Sequence, residues 1–191
     1  MAAEILYTPQ AEARWVNLIN PRPQLDTSKP PAWSCDLLID STKPEHAAFM
    51  QRLEAAFIEA HGTKKRRSDK GQPWKPDKEN PQIVVVKFKS QQFTRRDGTL
   101  APGPQIIDAR RQPWDGAAIG NGSVLRLSFI VYPWERPEGV GISLQPRAAQ
   151  VVEFVPYQQA DPTEAFGEVP GGFVVGAASG YTDEFAEDMP F

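Results

Sequence analysis

The sequence is poor in the residues on which most enzymes and metalloproteins rely. One cysteine, Cys35, in 191 residues excludes an internal disulfide framework and a cysteine-rich zinc site. Two histidines, His46 and His61, leave little for histidine-based metal binding or general-base chemistry. Asp36 and Asp40 lie four apart in an expected strand, but no motif supplies a third carboxylate to complete a cation site. Gly120-Asn121-Gly122 lacks the downstream Gly-Lys-Ser/Thr of a phosphate-cradling loop and reads as a turn. No run of 18 apolar residues occurs to cross a membrane. Met1-Ala2-Ala3-Glu4 carries neither the basic nor the apolar part of a secretory signal. These absences set the expectation of a cytoplasmic, non-enzymatic protein without cofactor or metal.

Basic residues are also absent from the end of the chain. After Arg147 no Lys or Arg occurs, while eight acids follow, leaving the first 147 residues at +5 and the remainder at −8. Within the body the positive charge is concentrated again: Lys64 to Arg96 carries eleven basic residues against Asp69, Asp77 and Glu79. A basic body joined to an acidic tail suggests a polyanion-binding surface and a segment able to compete for it.

Nineteen prolines and fourteen glycines rule out a fold of long helices. Strands are expected over Arg14–Ile19, Trp33–Asp40, Gln82–Lys89, Gln105–Arg111, Ser123–Tyr132 and Gly141–Val155. One helix is predicted over Pro44–His61, with Ser41 or Thr42 as its cap, Pro44 in its first turn and Gly62 just past its end. Phe49, Met50, Leu53 and Phe57 give it an apolar stripe at helical spacing. Gly62–Pro81 reads as a long basic loop, and Asp97-Gly98 and Asn121-Gly122 as turns. Consecutive strands without intervening helices suit a small, partly open barrel of five or six strands with one amphipathic helix, a mainly β, OB-fold-like class. Residues 1–156 form the expected binding domain and 157–191 a disordered acidic tail.

Binding unpaired nucleic acid without sequence preference needs cations for phosphates and aromatic faces for bases. The basic run contributes Lys64, Lys65, Arg66 and Arg67, followed by Trp74. Further along, Lys87 and Lys89 alternate outward around Phe88, and Phe93 precedes Arg95 and Arg96. Trp114 follows Arg110 and Arg111, and Arg126 shares a strand face with Tyr132, near Trp134. Phe88 and Phe129 alternate inward and are expected in the core. Two other readings remain at this stage: a single-stranded RNA-binding protein, since the same groove accepts either polymer, and a non-catalytic structural or assembly protein whose basic loop is solvated surface.

The chain closes on Asp183, Glu184, Phe185, Glu187, Asp188, Met189, Pro190 and Phe191, an acidic stretch ending in an aromatic residue. A basic partner pocket with an apolar floor can recognise such an end.

This ending resembles the tail of bacterial single-stranded DNA-binding proteins. The body resembles the single-stranded DNA-binding proteins of short-tailed bacteriophages, through Ile119-Gly120-Asn121-Gly122-Ser123-Val124, Tyr132-Pro133-Trp134, Gly139-Val140-Gly141-Ile142-Ser143-Leu144 and Ala149-Gln150-Val151-Val152-Glu153. The resemblance implies an OB-fold barrel with an inserted helix, single-stranded DNA binding in phage replication and recombination, and annealing of complementary strands. It also implies a homodimer and a tail that contacts the replicative DNA polymerase and helicase-primase. Met189-Pro190-Phe191 departs from the bare terminal Phe common in the phage group.

Overall fold

The computed structural model describes residues 4–63, 65–158, 166–167 and 169–171. The chain divides into two compact units, Met1–Gln158 and Gln159–Phe191. The first holds β1 (Ile5–Tyr7), β2 (Ala11–Arg22), β3 (Ala32–Asp40), α1 (Pro44–His61), β4 (Trp74–Pro76), β5 (Ile83–Gln91), β6 (Gln105–Ile107), β7 (Val124–Arg136) and β8 (Gly139–Glu153).

The five long strands pair in a ring. β2, β3 and β5 form an antiparallel sheet, β8 pairs β7 antiparallel along most of its length, and two seams join the halves. One seam is a single parallel pair, Phe88 with Leu144; the other is Ala11 with Leu125 and Glu12 with Val124. Among the described residues the result is a mainly β, partly open barrel carrying one helix. The five or six strands expected become eight among the described residues, because β1, β4 and β6 add three residues each.

Alternation along the strands fills the barrel. Leu125, Leu127 and Phe129 of β7, Cys35, Leu37 and Ile39 of β3, and Val86 and Phe88 of β5 are fully buried. Phe88 meets Phe129 edge-on at 5.1 Å, and Phe49 of α1 meets the same ring at 6.0 Å, geometries that aromatic quadrupoles favour. The α1 stripe thus packs on the core as expected, with Phe49, Leu53 and Phe57 buried.

Several local expectations are corrected. Neither Ser41 nor Thr42 caps α1: Lys43 occupies the cap position without a side-chain hydrogen bond. Ser41 Oγ donates instead to the Gln82 carbonyl at 2.8 Å, and Thr42 donates its N–H and hydroxyl to Asp40 Oδ1 at 3.0 and 2.6 Å. The Gly62–Pro81 stretch is not all loop, since β4 pairs β5 and Arg67 bridges Val140. The strand expected over Gln105–Arg111 is only Gln105–Ile107, and the Asp97-Gly98 turn does not pair it with the preceding strand. That turn closes only the Thr94–Leu100 bridge, and β6 runs parallel to β8. β2 extends through Pro21 and carries irregular pairing between Arg14 and Asn17. There Trp15 adopts a left-handed φ of 54°, and its N–H donates to Asn121 Oδ1 at 2.8 Å.

Candidate nucleic-acid interface

The outward face of β5 starts the site. With Val86 and Phe88 committed to the core, the period of two turns Lys87 and Lys89 outward. β3 extends the same face, placing Asp36 opposite Lys87 and Ser34 opposite Lys89. β4 adds Lys75 and the half-buried Trp74 at one side. The distal part of the β7–β8 ribbon forms a facing wall with Tyr132, Trp134 and Arg136, and the hairpin before β6 contributes Phe93 and Arg95.

Together these elements enclose a groove of about 1760 Å³. Nine of its lining residues are Lys or Arg and two, Asp69 and Glu138, are acidic. Lys70, Lys75, Lys87, Lys89, Arg95 and Arg147 have no carboxylate partner among the described residues. Five rings share the walls: Trp33, Trp74, Phe93, Tyr132 and Trp134. Phe93 and Tyr132 are 61% and 55% exposed, so their faces are available without rearrangement.

The electrostatics mark an under-neutralised surface. Partial burial lowers the pKa of Lys89, and the nearby charges of Lys87 and Lys29 lower it further; its ammonium donates to Gln24 Oε1 at 2.5 Å. Bringing a polyanion to this point relieves repulsion among cations. Asp36 shows the converse. Burial pushes its carboxyl up, while Lys87 and Lys75 pull it down. Burial also raises the Cys35 thiol far above its ordinary value, which keeps it from acting as a nucleophile. Among the described residues no group of three or more His, Cys, Asp or Glu side chains comes together.

Eight of the sequence-predicted contacts line this groove: Arg67, Trp74, Lys87, Lys89, Phe93, Arg95, Tyr132 and Trp134. Arg67 is already engaged, paired with Glu54 at 2.5 Å, bonded to Gln72 at 2.7 Å and stacked 3.8 Å over the Phe57 ring. The other predicted contacts lie elsewhere. Lys65 pairs with Glu135; Arg66 and Arg96 are exposed outside the groove, and Lys64 lies outside the described residues. Trp114 packs edge-on against Phe154 at 5.1 Å and donates its indole N–H to the Ala117 carbonyl. Arg110 and Arg111 belong to the turn after β6. Arg126 lines a separate depression with Tyr7, Glu45, Phe49 and Arg52, although it shares strand parity with Tyr132.

Sequence reasoning missed Lys29, Arg136, Arg147 and Trp33. Lys70 and Lys75 had a legible signal, because both fall in the basic run around Trp74. Arg147 and Lys29 had none, since only the assembled barrel brings them to this face. The tail residues Asp183, Glu184, Phe185, Glu187, Asp188, Met189, Pro190 and Phe191 lie outside the described residues.

The architecture is that of a small, partly open β barrel with one groove whose walls combine cations and aromatic rings. Solved structures of this fold carry the comparison further. The chain is similar to gp2.5, a single-stranded DNA-binding protein encoded by bacteriophage T7, with a TM-score of 0.65 at 18% identity over 91% of this chain and 99% of that one. It is also similar to the C-terminally truncated single-stranded DNA-binding protein of bacteriophage Enc34, with a TM-score of 0.61 at 14% identity over 80% and 88%. The Enc34 protein in complex with single-stranded DNA matches with a TM-score of 0.59 at 11% identity over 81% and 89%. No family model matches the sequence, and no curated protein sequence does. The fold is that of phage single-stranded DNA-binding proteins.

Proposed function

We propose that this chain is a sequence-independent, non-enzymatic single-stranded DNA-binding protein. The observation that carries the proposal is one groove in which six cations without carboxylate partners among the described residues share the walls with five aromatic rings. Cations attract phosphates of any sequence, and rings accept any base, but only when the bases are unstacked. Duplex DNA hides its base faces and gains only the electrostatic part. The fold shared with the Enc34 protein bound to single-stranded DNA supports the same reading.

The physiological setting we propose is phage DNA replication and recombination in the host cytoplasm, with annealing of complementary strands. No helix among the described residues is long and apolar enough to cross a membrane. Residues 1–156 are the proposed binding domain, acting in a homodimer, and 157–191 the partner-binding tail. Asp183 to Phe191 would recruit the replicative DNA polymerase and helicase-primase. Tethered acids at an effective concentration of about millimolar order compete weakly for the empty groove and are released when DNA arrives. Deleting residues 183–191 is therefore expected to tighten DNA binding at low salt; unchanged or weaker binding removes the competition.

Intrinsic tryptophan fluorescence, titrated with oligothymidylate, a matched RNA oligomer and a duplex at two salt concentrations, tests the proposal. Tightest binding of the single DNA strand, weakening steeply with salt, is the expected result. Equal binding of duplex overturns the reading, and preference for RNA redirects it to RNA.

A further inference from the structure

Trp33 has an unusual place in this groove. It is only 4% exposed and packs in the core cluster with Cys35 and Phe88, yet it is among the residues lining the cavity. Its indole N–H is buried and has no acceptor among the described residues. Buried tryptophan N–H groups ordinarily find a partner, because leaving one unmade forfeits its hydration for nothing in return. Trp114 follows that rule through Ala117, so the sequence does supply such acceptors where no other role intervenes.

What covers the indole edge is Gly103. A Cβ at this position would stand 2.6 Å from Trp33 Nε1 and 2.7 Å from Cε2, so only glycine permits the segment to lie there. The covering segment is weakly fastened. Ala101 N–H is anchored to the Phe93 carbonyl at 2.8 Å and the β6 ladder resumes at Gln105. Between them, Pro102 and Pro104 have no N–H, and that of Gly103 makes no hydrogen bond among the described residues. An unpaired donor and a cover held by packing alone therefore coincide in the lining of a groove whose other walls carry cations.

We propose that Trp33 is a strand-binding residue whose indole N–H donates to a backbone phosphate oxygen once Pro102–Gly103–Pro104 moves off it. This rests on the single-strand reading of the groove. A phosphate is the fitting acceptor because it recurs at every nucleotide, so the bond adds affinity without sequence preference, and because cations elsewhere in the same groove draw phosphates into it. The bound state satisfies a donor that the empty state leaves orphaned, so the interaction exists only with the strand in place.

The test is a nitrogen-15 spectrum of the five indole N–H groups, with Trp33→Phe assigning one signal. On adding oligothymidylate, the Trp33 indole proton is expected to move downfield and to exchange more slowly with solvent, with normal and with abasic oligomers alike. Trp33→Phe is expected to weaken binding about fivefold, the factor of one ordinary hydrogen bond. Gly103→Ala, which forces the cover off the ring, is expected to tighten binding in the wild-type background and to gain nothing in Trp33→Phe. A Trp33 signal that stays still while the Lys89 amide moves overturns the proposal and leaves the groove reading standing. If neither moves, both fall. A shift seen only with intact bases overturns the phosphate assignment.

Discussion

Trp134 lies directly across from Gly141 in the β7–β8 ladder, and its ring occupies the space where a side chain at 141 would begin. Gly71 Cα closes the same space from the other side, with the Gly71 carbonyl accepting the Ile142 N–H at 2.9 Å. The groove wall is thus built by stacking a ring and a loop backbone on a bare strand. Gly141→Ala is expected to lower stability by about 1–3 kcal/mol, as overpacking of a tight site does. Thermal unfolding checks it, and an unchanged midpoint contradicts this packing.

Phe93 and Tyr132 offer open ring faces with little burial to lose. Replacing either by alanine is expected to leave the unfolding midpoint nearly unchanged and to weaken single-strand binding by about 1–3 kcal/mol per ring. Trp114→Ala is expected to do the opposite, because its ring packs on Phe154 outside the groove: stability falls and DNA affinity holds. Fluorescence-detected binding beside thermal melts separates the two patterns.

Asp36 couples the groove to pH. Burial raises its carboxyl above the ordinary range, with Lys87 and Lys75 opposing. The folded state therefore holds the Asp36 proton more tightly than the unfolded chain does, and the ionised group costs stability. That cost is absent below the ordinary aspartate value of about 4, grows as pH rises through the raised value and is complete above it. Asp36→Asn is expected to be more stable than wild type at neutral pH, with the difference vanishing toward pH 4 and below. It is also expected to bind DNA more tightly, since a negative charge opposite Lys87 is gone. Denaturant midpoints across this range measure the first effect, and a pH-independent difference contradicts it.

The parts of this fold legible in the sequence were those where one periodicity decides the outcome. Pro44–His61 is the observed helix, since proline entry, apolar stripe and Gly62 all agree, and the alternation in β7 places Leu125, Leu127 and Phe129 inward. What stayed hidden depended on distant chain. β4 is three residues bounded by prolines and exists only because β5 offers an edge. Trp114 beside two arginines looks like a base contact until Phe154 covers it. Arg126 and Tyr132 share parity, but six residues along a coiled strand carry them to different surfaces. Trp33 was readable as a strand residue, whereas its unmet N–H needed the placement of Gly103.

The central claim is that phosphates of a single strand lie against Lys87 and Lys89. The most direct measurement is the salt dependence of single-strand affinity for wild type and for Lys87→Ala/Lys89→Ala. Each phosphate contact contributes about 0.7 to the slope of log affinity against log salt, so the double variant is expected to show a slope shallower by about 1.4 and weaker binding at low salt. An identical slope in a folded double variant means the strand does not pass over this face, and the groove is not its site.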